Sequence, residues 1–577
     1  MKKISVVVFL IISFFSCNKP KVTAPQEIKG ALGEKAMVAT THPLATAVGL
    51  EIMKKGGNAF DAMVAVHLAL AVTYPIAGNI GGGGFVVYHT SNGESGSLDF
   101  REKAPGNAFK NMYLDENGGV IEGMSTLGGA AVGVPGSIAG IFEIHSKFGS
   151  LPIQDLFQPS IDLAKNGFVV TEKQENALKD KLQDFINVNG KESLFSKNYK
   201  QGDTLKNLQL SITLDKIAKN GSKAFYEGDI AKMIVDEVQE SGGIMTVEDL
   251  KNYNSVWRDP IKFEYKGLEV ISMSLPSSGG ILLGQLLKAI EGYDIEKLGH
   301  NSVESIQLMV EAERRAYADR SFYMGDPDFS KLPVYELMDD EYVKKRMESF
   351  SWEKATTSSE VSHGEVKVTE ESDQTTHYSI IDGNGNSVSV TTTLNTNYGS
   401  KVFVEKGGFF LNNEMDDFSS KPGHPNSFGL LGSEANSVEA NKRMLSSMTP
   451  TIVLKDNKPS LIVGTPGGST IITSVFQIIL NIYEFNMSMQ EAVNAPRFHH
   501  QWLPDVVIIE EGGIDSVKDS ILRSKNYLVI SLPIKVDGPG MSARSSIGKV
   551  DAIFIDENGK VSIGADPRGD DHGSVLK

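Results

Sequence analysis

The sequence predicts an α+β protein whose helical and strand-rich parts meet at a polar junction near residue 375. Three observations predict it. Residues 59–72 are apolar on nearly every side, the pattern of a helix buried all round. Residues from about 150 to 350 are mainly helical in pattern, with Leu-, Ala- and charge-rich segments such as 306–317. Beyond residue 375 the period switches to that of strands.

In chain order, Ala45, Val48, Ile52 and Met53 fall at helical spacing, and Gly56-Gly57-Asn58 ends that helix. After the buried helix, Gly81-Gly82-Gly83-Gly84 forms a loop feeding a strand at Phe85-Val86-Val87-Tyr88. Residues 353–374 are polar, rich in Ser, Thr and Glu, and read as an exposed flexible linker. Residues 376–381 and 387–394 then form two strands around the turn cluster Asp382-Gly383-Asn384-Gly385-Asn386.

The hairpin has a legible register. With the turn centred on Asn384, Ile380 faces Val388, Tyr378 faces Val390 and Thr375 faces Thr393. Apolar residues then share one face, while Ser379 with Ser389, His377 with Thr391 and Thr375 with Thr393 share the other. A one-residue slip would set Tyr378 and Ile380 against Ser and Thr. Directly paired residues have Cβ atoms roughly 4.5–5.5 Å apart, so the pattern sets the Thr393 hydroxyl beside Thr375.

The chain has 577 residues, a hydrophobic fraction of 40% and a formal net charge of −16. That supports a large core and argues against a nucleic-acid partner, since phosphates call for Lys and Arg. Lys2 and Lys3 precede an apolar run at 4–15, too short for a bilayer, which needs ~20 residues. Ser16-Cys17 closes the run and resembles a bacterial lipobox, with Phe14 where such motifs usually have Leu. The expectation is a signal over 1–17, lipidation of Cys17, a tether over 18–29, and a periplasmic or cell-surface lipoprotein held to a bacterial membrane by its lipid alone. Cys17 is the single cysteine, so the chain forms no internal disulfide.

No Gly-x-Ser-x-Gly, His-Glu-x-x-His or cysteine cluster is present, and no metal or cofactor is expected. His499 and His500 are adjacent, and adjacent side chains diverge on a helix or a strand. A threonine where a polar linker meets a strand suggests another chemistry. If cleavage makes Thr375 N-terminal, its own α-amine becomes a base with a pKa of about 8. Thr393 across the hairpin could then orient its hydroxyl. For an oxyanion, Leu461-Ile462-Val463 reads as a strand, 464–468 as a tight loop and 469–480 as a helix, with the Gly467 and Gly468 amides at the helix start. An ordinary strand-to-helix turn has the same pattern, and such turns are common.

Thr375-Thr376-His377-Tyr378-Ser379 resembles the start of the small subunit of γ-glutamyltranspeptidases. The resemblance continues through Thr393-Leu394-Asn395, 411–418 (Leu-Asn-Asn-Glu-Met-Asp-Asp-Phe), Ser446-Ser447-Met448-Thr449-Pro450, Pro466-Gly467-Gly468-Ser469 and 494–500 (Asn-Ala-Pro-Arg-Phe-His-His). Upstream it includes Gly56-Gly57-Asn58-Ala59, 78–84, Asp99-Phe100-Arg101-Glu102 and Tyr317-Ala318-Asp319-Arg320. It implies the four-layer αββα sandwich of N-terminal-nucleophile hydrolases, built jointly by a large subunit (30–374) and a small one (375–577) cut apart between Gln374 and Thr375. It implies Thr375 as nucleophile, Thr393 in support, and Gly467 and Gly468 as oxyanion hole. Arg101, with Ser446 and Ser447, would bind the substrate α-carboxylate, and Asn395, Glu414 and Asp417 its α-amino group. The implied substrates are glutathione and other γ-glutamyl amides, with water, amino acids or peptides as acceptors. Glu414 stands where many bacterial members have Gln. In the lid-like segment 422–432, Phe428 stands where Tyr is often found, which removes a hydroxyl contact.

Two other readings compete. A cephalosporin- or glutaryl-acylase-like amidase shares the fold, but the lid-like segment favours the γ-glutamyl activity. A non-catalytic amino-acid-binding lipoprotein explains the signal and the charged residues, but not a threonine at a linker junction.

Overall fold

The computed structural model describes residues 32–33, 36–364, 376–421, 423–432, 434–533 and 546–576. Cys17, the tether, Gln374 and Thr375 lie outside the described residues, and so does the rest of the stretch 365–375. Among the described residues no helix is long and apolar enough to cross a membrane.

Two seven-stranded sheets form the centre. Their strands, in chain order, are β1 (Leu32–Gly33), β2 (Ala36–Thr40), β3 (Gly83–His89), β4 (Ser95–Asp99), β5 (Val256–Arg258), β6 (Ile261–Tyr265) and β7 (Leu268–Ser272). After residue 375 come β8 (Thr376–Ile381), β9 (Ser387–Thr393), β10 (Thr451–Lys455), β11 (Lys458–Gly464), β12 (Asp551–Ile555), β13 (Val561–Ala565) and β14 (His572–Leu576). One sheet runs β14-β2-β8-β9-β3-β4-β5 and the other β1-β13-β12-β11-β10-β7-β6, with all pairings antiparallel.

Alternation along each strand decides which layer a side chain enters. Met37, Ala39, Phe85 and Val87 of the first sheet meet Ile271, Ile452, Ile462 and Ile553 of the second, forming a core between the sheets. The opposite face of the first sheet, including Tyr378, Ile380, Val388 and Val390, packs on helices α1 (Pro43–Lys54) and α2 (Ala59–Thr73). The far face of the second, including Val270, Val453 and Leu461, packs on α3 (Gly279–Ile290), α4 (Val303–Tyr323) and α5 (Thr470–Tyr483). The result is the four-layer αββα sandwich. All fifteen residues of α2 are buried, as its uniformly apolar sequence requires.

The predicted hairpin forms in the predicted register: Thr376 pairs with Thr392, His377 with Thr391, Tyr378 with Val390 and Ile380 with Val388. Two expectations need correction. Strands β5, β6 and β7 lie inside the segment read as mainly helical. Their alternation is short and sits among long helices, so window-scale periodicity hides it. The start of the polar linker is also less exposed than its composition suggests. Ala355, Ser358 and Val361 are buried. Their backbone is held from distant parts of the chain: Ala355 N–H donates to Lys525 O (2.7 Å), Ser358 N–H to Asp505 (2.7 Å), and Trp502 Nε1–H to Val361 O (2.9 Å).

Gly464 ends β11 directly over the His377 ring. A Cβ at 464 would lie 2.4 Å from both Cε1 and Nδ1 of that ring. The ring is pinned by Thr391 Oγ1 at Nδ1 and Ser379 Oγ at Nε2, both at 3.0 Å, and burial pushes its pKa down to about 3, so it is neutral. Gly464→Ala is therefore expected to destabilise the fold by about 1–3 kcal/mol through overpacking. Denaturant unfolding checks this, and an unchanged midpoint would mean that the ring moves aside freely.

Candidate active site

The site gathers around the open end of the hairpin. Thr393 closes β9 opposite Gly83 of β3, and its Oγ1 accepts from Asn395 N–H at 2.6 Å. The last described pair, Thr376 with Thr392, stops one step short of Thr375. Asn395 adopts a left-handed backbone (φ 71°), and its Nδ2 donates to Asn413 O at 3.0 Å.

Strand β11 leads through the glycine loop into α5, as the pattern suggested. Gly467 (φ 142°) and Gly468 (φ 63°) have backbones that favour glycine, and a Cβ on Gly467 would lie 2.5 Å from Thr470 Oγ1. Among the described residues neither glycine amide donates to a protein acceptor. Two free amides at a helix N-terminus are suited to a developing negative oxygen.

Arg101 follows β4 and is fully buried. Its Nε donates to Met444 O (3.2 Å) and its Nη2 to Leu445 O (3.3 Å). Its Nη1 lies 2.6 Å from Glu414 and 3.7 Å from Glu102, while Nη2 pairs closely with Asp417. Glu414 and Asp417 begin and end one 3₁₀ turn (Glu414–Asp417), where side chains three apart stack on one side. That geometry delivers both carboxylates to one guanidinium. Burial pushes the Glu414 and Glu102 carboxyls well up, against the pull of Arg101. Three buried carboxyls around one cation leave an excess of acid that a second cation would relieve.

Ser446 and Ser447 lie on the adjoining segment. Ser446 O accepts from the Ser277 and Ser278 hydroxyls at 3.1 and 2.9 Å. Ser447 Oγ accepts from Arg320 Nη2 at 2.8 Å. His499 and His500 diverge, to Thr473 (2.9 Å) and to Asp505 (3.2 Å) respectively.

A cleft of about 970 Å³ opens beside these groups, lined by Gly467, Thr396, Lys401, Asp416, Ser427 and Phe428 among others. It unites the glycine loop, the segment after Thr393 and the lid-like segment, while Arg101, Glu414 and Asp417 are fully buried and take no part in its lining. Phe428 is buried in the core beneath the second sheet, and its carbonyl accepts from Gln501 Nε2 at 3.2 Å. Ser427 N–H donates to Asp416 at 3.2 Å, which ties the segment to the 3₁₀ turn without a tyrosine hydroxyl.

Sequence reasoning assigned no role to Glu102, Arg320 or Asp416. Glu102 adjoins Arg101, and Asp416 lies between Glu414 and Asp417, so both sat inside motifs already recognised. Arg320 closes the Tyr317-Ala318-Asp319-Arg320 motif, but its contact with Ser447 spans 127 positions, so no local pattern pairs the two.

The family model described as Gamma-glutamyltranspeptidase matches residues 45–576. The chain belongs to that family. It is 44% identical over 540 residues to the glutathione hydrolase proenzyme of Escherichia coli K12, covering 93% of this chain and 90% of that relative. The solved cephalosporin acylase of Bacillus halodurans superposes with a TM-score of 0.82 over 98% of this chain and all of its own (100%), at 24% identity, which bears on fold alone. The solved γ-glutamyltranspeptidase chain from Helicobacter pylori is 42% identical with a TM-score of 0.56, covering 58% of this chain and 97% of its own length. The sandwich is thus that of the N-terminal-nucleophile hydrolases.

Proposed function

We propose that this chain is an autoprocessing γ-glutamyltranspeptidase and glutathione hydrolase. It cuts itself between Gln374 and Thr375 into a large fragment that ends at Gln374 and a small one, 375–577, which remain together. It then transfers the γ-glutamyl group of glutathione or a related amide to water or to an amino acid or peptide. The observation that carries this reading is the buried Arg101 set between Glu414 and Asp417. A γ-glutamyl head bears one carboxylate and one ammonium. A guanidinium fork suits the first and a pair of carboxylates the second. Ser446 and Ser447 would assist at the carboxylate and Asn395 at the ammonium. The names of the 40–44% identical relatives, glutathione hydrolase proenzymes, support the substrate and the cut. So does the match of one Helicobacter pylori chain to little more than half of this one.

In the proposed reaction the Thr375 amine takes the hydroxyl proton as the oxygen attacks the γ-carbonyl. The Gly467 and Gly468 amides receive the oxyanion, and Thr393 orients the hydroxyl. The amine passes its proton to the departing nitrogen, leaving a γ-glutamyl ester that water or an acceptor amine resolves.

The test compares a γ-glutamyl anilide with the corresponding glutaryl anilide, which lacks the α-amino group. A site built around an ammonium should prefer the first by at least about two orders of magnitude in kcat/KM, because the second leaves polar groups unpaired. Equal turnover, or faster turnover of the glutaryl compound, would replace this reading with the acylase-like amidase.

A further inference from the structure

The loop after Thr393 is held in a costly conformation. Asn395, Tyr398, Gly399 and Lys401 all have left-handed backbones, with φ of 71°, 62°, 55° and 64°. Tyrosine and lysine are disfavoured there, and strain of this kind persists where surrounding contacts enforce it. Here Tyr398 N–H donates to Ile76 O (2.8 Å) and Ser400 N–H to Leu411 O (3.0 Å). The outcome of this winding is the placement of the Lys401 side chain. It is 6% exposed and lines the cleft onto which Gly467 opens.

Lysine is seldom so buried without a carboxylate partner. Among the described residues the Lys401 ammonium has two acceptors, Gly399 O at 2.6 Å and Thr396 Oγ1 at 3.1 Å, and makes no ion pair. An ammonium carries three N–H groups, so one donor remains. Burial, reinforced by Lys181 and opposed by Asp184 and Asp416, lowers its pKa to about 8. A neighbouring anion would hold that proton on.

Its position is close to the chemistry. Thr396, which Lys401 contacts, donates from its backbone to Asn413 Oδ1 at 3.0 Å. Asn395 donates to Asn413 O at 3.0 Å and to Thr393 Oγ1 at 2.6 Å. The ammonium therefore stands a few hydrogen bonds from Thr393 and on the wall of the cleft.

We propose that Lys401 is a specificity-determining residue that binds the carboxylate of the amino acid or short peptide on the departing side of the scissile amide, and of the acceptor that takes its place. This rests on the γ-glutamyl reading above. With the γ-glutamyl head at Arg101, Glu414 and Asp417, the rest of the substrate points out into the cleft. In a γ-glutamyl peptide that part ends in a carboxylate, and two extended residues reach only ~7 Å. A carboxylate there fills the remaining donor of Lys401.

The competing role for Lys401 is a brace that holds the Gly399 carbonyl. The experiment compares glutathione, its C-terminal amide and a γ-glutamyl anilide that has no carboxylate on the leaving group. Wild type should prefer glutathione to the amide by about 10-fold in kcat/KM, the scale of one charge-assisted hydrogen bond. In Lys401→Met, the kcat/KM of glutathione relative to the anilide should fall by about 10-fold, and the preference over the amide should vanish. Lys401→Arg should keep part of it. A brace would lower glutathione and anilide alike and leave their ratio unchanged, which overturns the proposal. So does a wild-type enzyme indifferent to the amide, a result that needs no variant to fold. If wild type fails on the anilide itself, it is the γ-glutamyl reading that falls.

Discussion

Thr375→Ala is expected to yield one uncut chain with no measurable γ-glutamyl turnover. The same hydroxyl is used twice in the proposed scheme. In the precursor it attacks the Gln374 carbonyl carbon; the peptide C–N bond breaks, which frees the Thr375 amine, and an ester forms. Water then cleaves that ester, releasing the Gln374 carboxylate and restoring the Thr375 hydroxyl. In the mature protein the same oxygen attacks substrate, with the freed amine as base. Alanine removes the nucleophile from both steps, so activity should drop by about four orders of magnitude or more. A denaturing gel and an anilide assay on the same preparation read both effects. Thr375→Ser keeps a hydroxyl and should still cut. Two fragments from the alanine variant would remove Thr375 as the processing residue.

Arg101→Ala should separate the two uses of the site. Arg101 belongs to the part before the proposed cut, and its ion pairs are with Glu414, Asp417 and Glu102. Processing is expected to proceed while kcat/KM on γ-glutamyl anilides falls by roughly 30-fold to several thousand-fold, the cost of about 2–5 kcal/mol for losing one member of a buried charged pair. The structure adds a stability effect. Without the guanidinium the buried carboxyls lose their cation, and unfolding should become easier by about 3–5 kcal/mol. Arg101→Lys restores a charge but cannot reach Glu414, Asp417 and the Met444 and Leu445 carbonyls at once, so it should recover stability better than catalysis. A folded, self-cutting Arg101→Ala with near-normal kcat/KM would place the carboxylate elsewhere.

What the sequence made legible follows from how local each signal is. The hairpin register could be read because Tyr378, Ile380, Val388 and Val390 alternate with hydroxyl residues around an Asp-Gly-Asn-Gly-Asn turn, so one alignment satisfies both faces. Strands β5 to β7 escaped notice because each has five or fewer residues and lies among helices. The motifs named Arg101, Glu414 and Asp417 as binding residues. That they pair with one another, across more than 300 positions, is a property of the fold. Lys401 drew no attention at all: one lysine in a polar loop looks like solvent-facing charge until the winding of that loop is known.

The two sheets are woven from both sides of the proposed cut. β8 lies against β2, β9 against β3, and β14 against β2; in the second sheet, β13 lies against β1 and β10 against β7. A precursor that unfolds can fold again as a first-order process at any dilution. Once cut, the same loss of structure sets two molecules free, and recovery becomes second-order and dependent on concentration. Maturation would thus turn a reversible equilibrium into a one-way loss, with the lifetime of the active enzyme set by how slowly those shared ladders open.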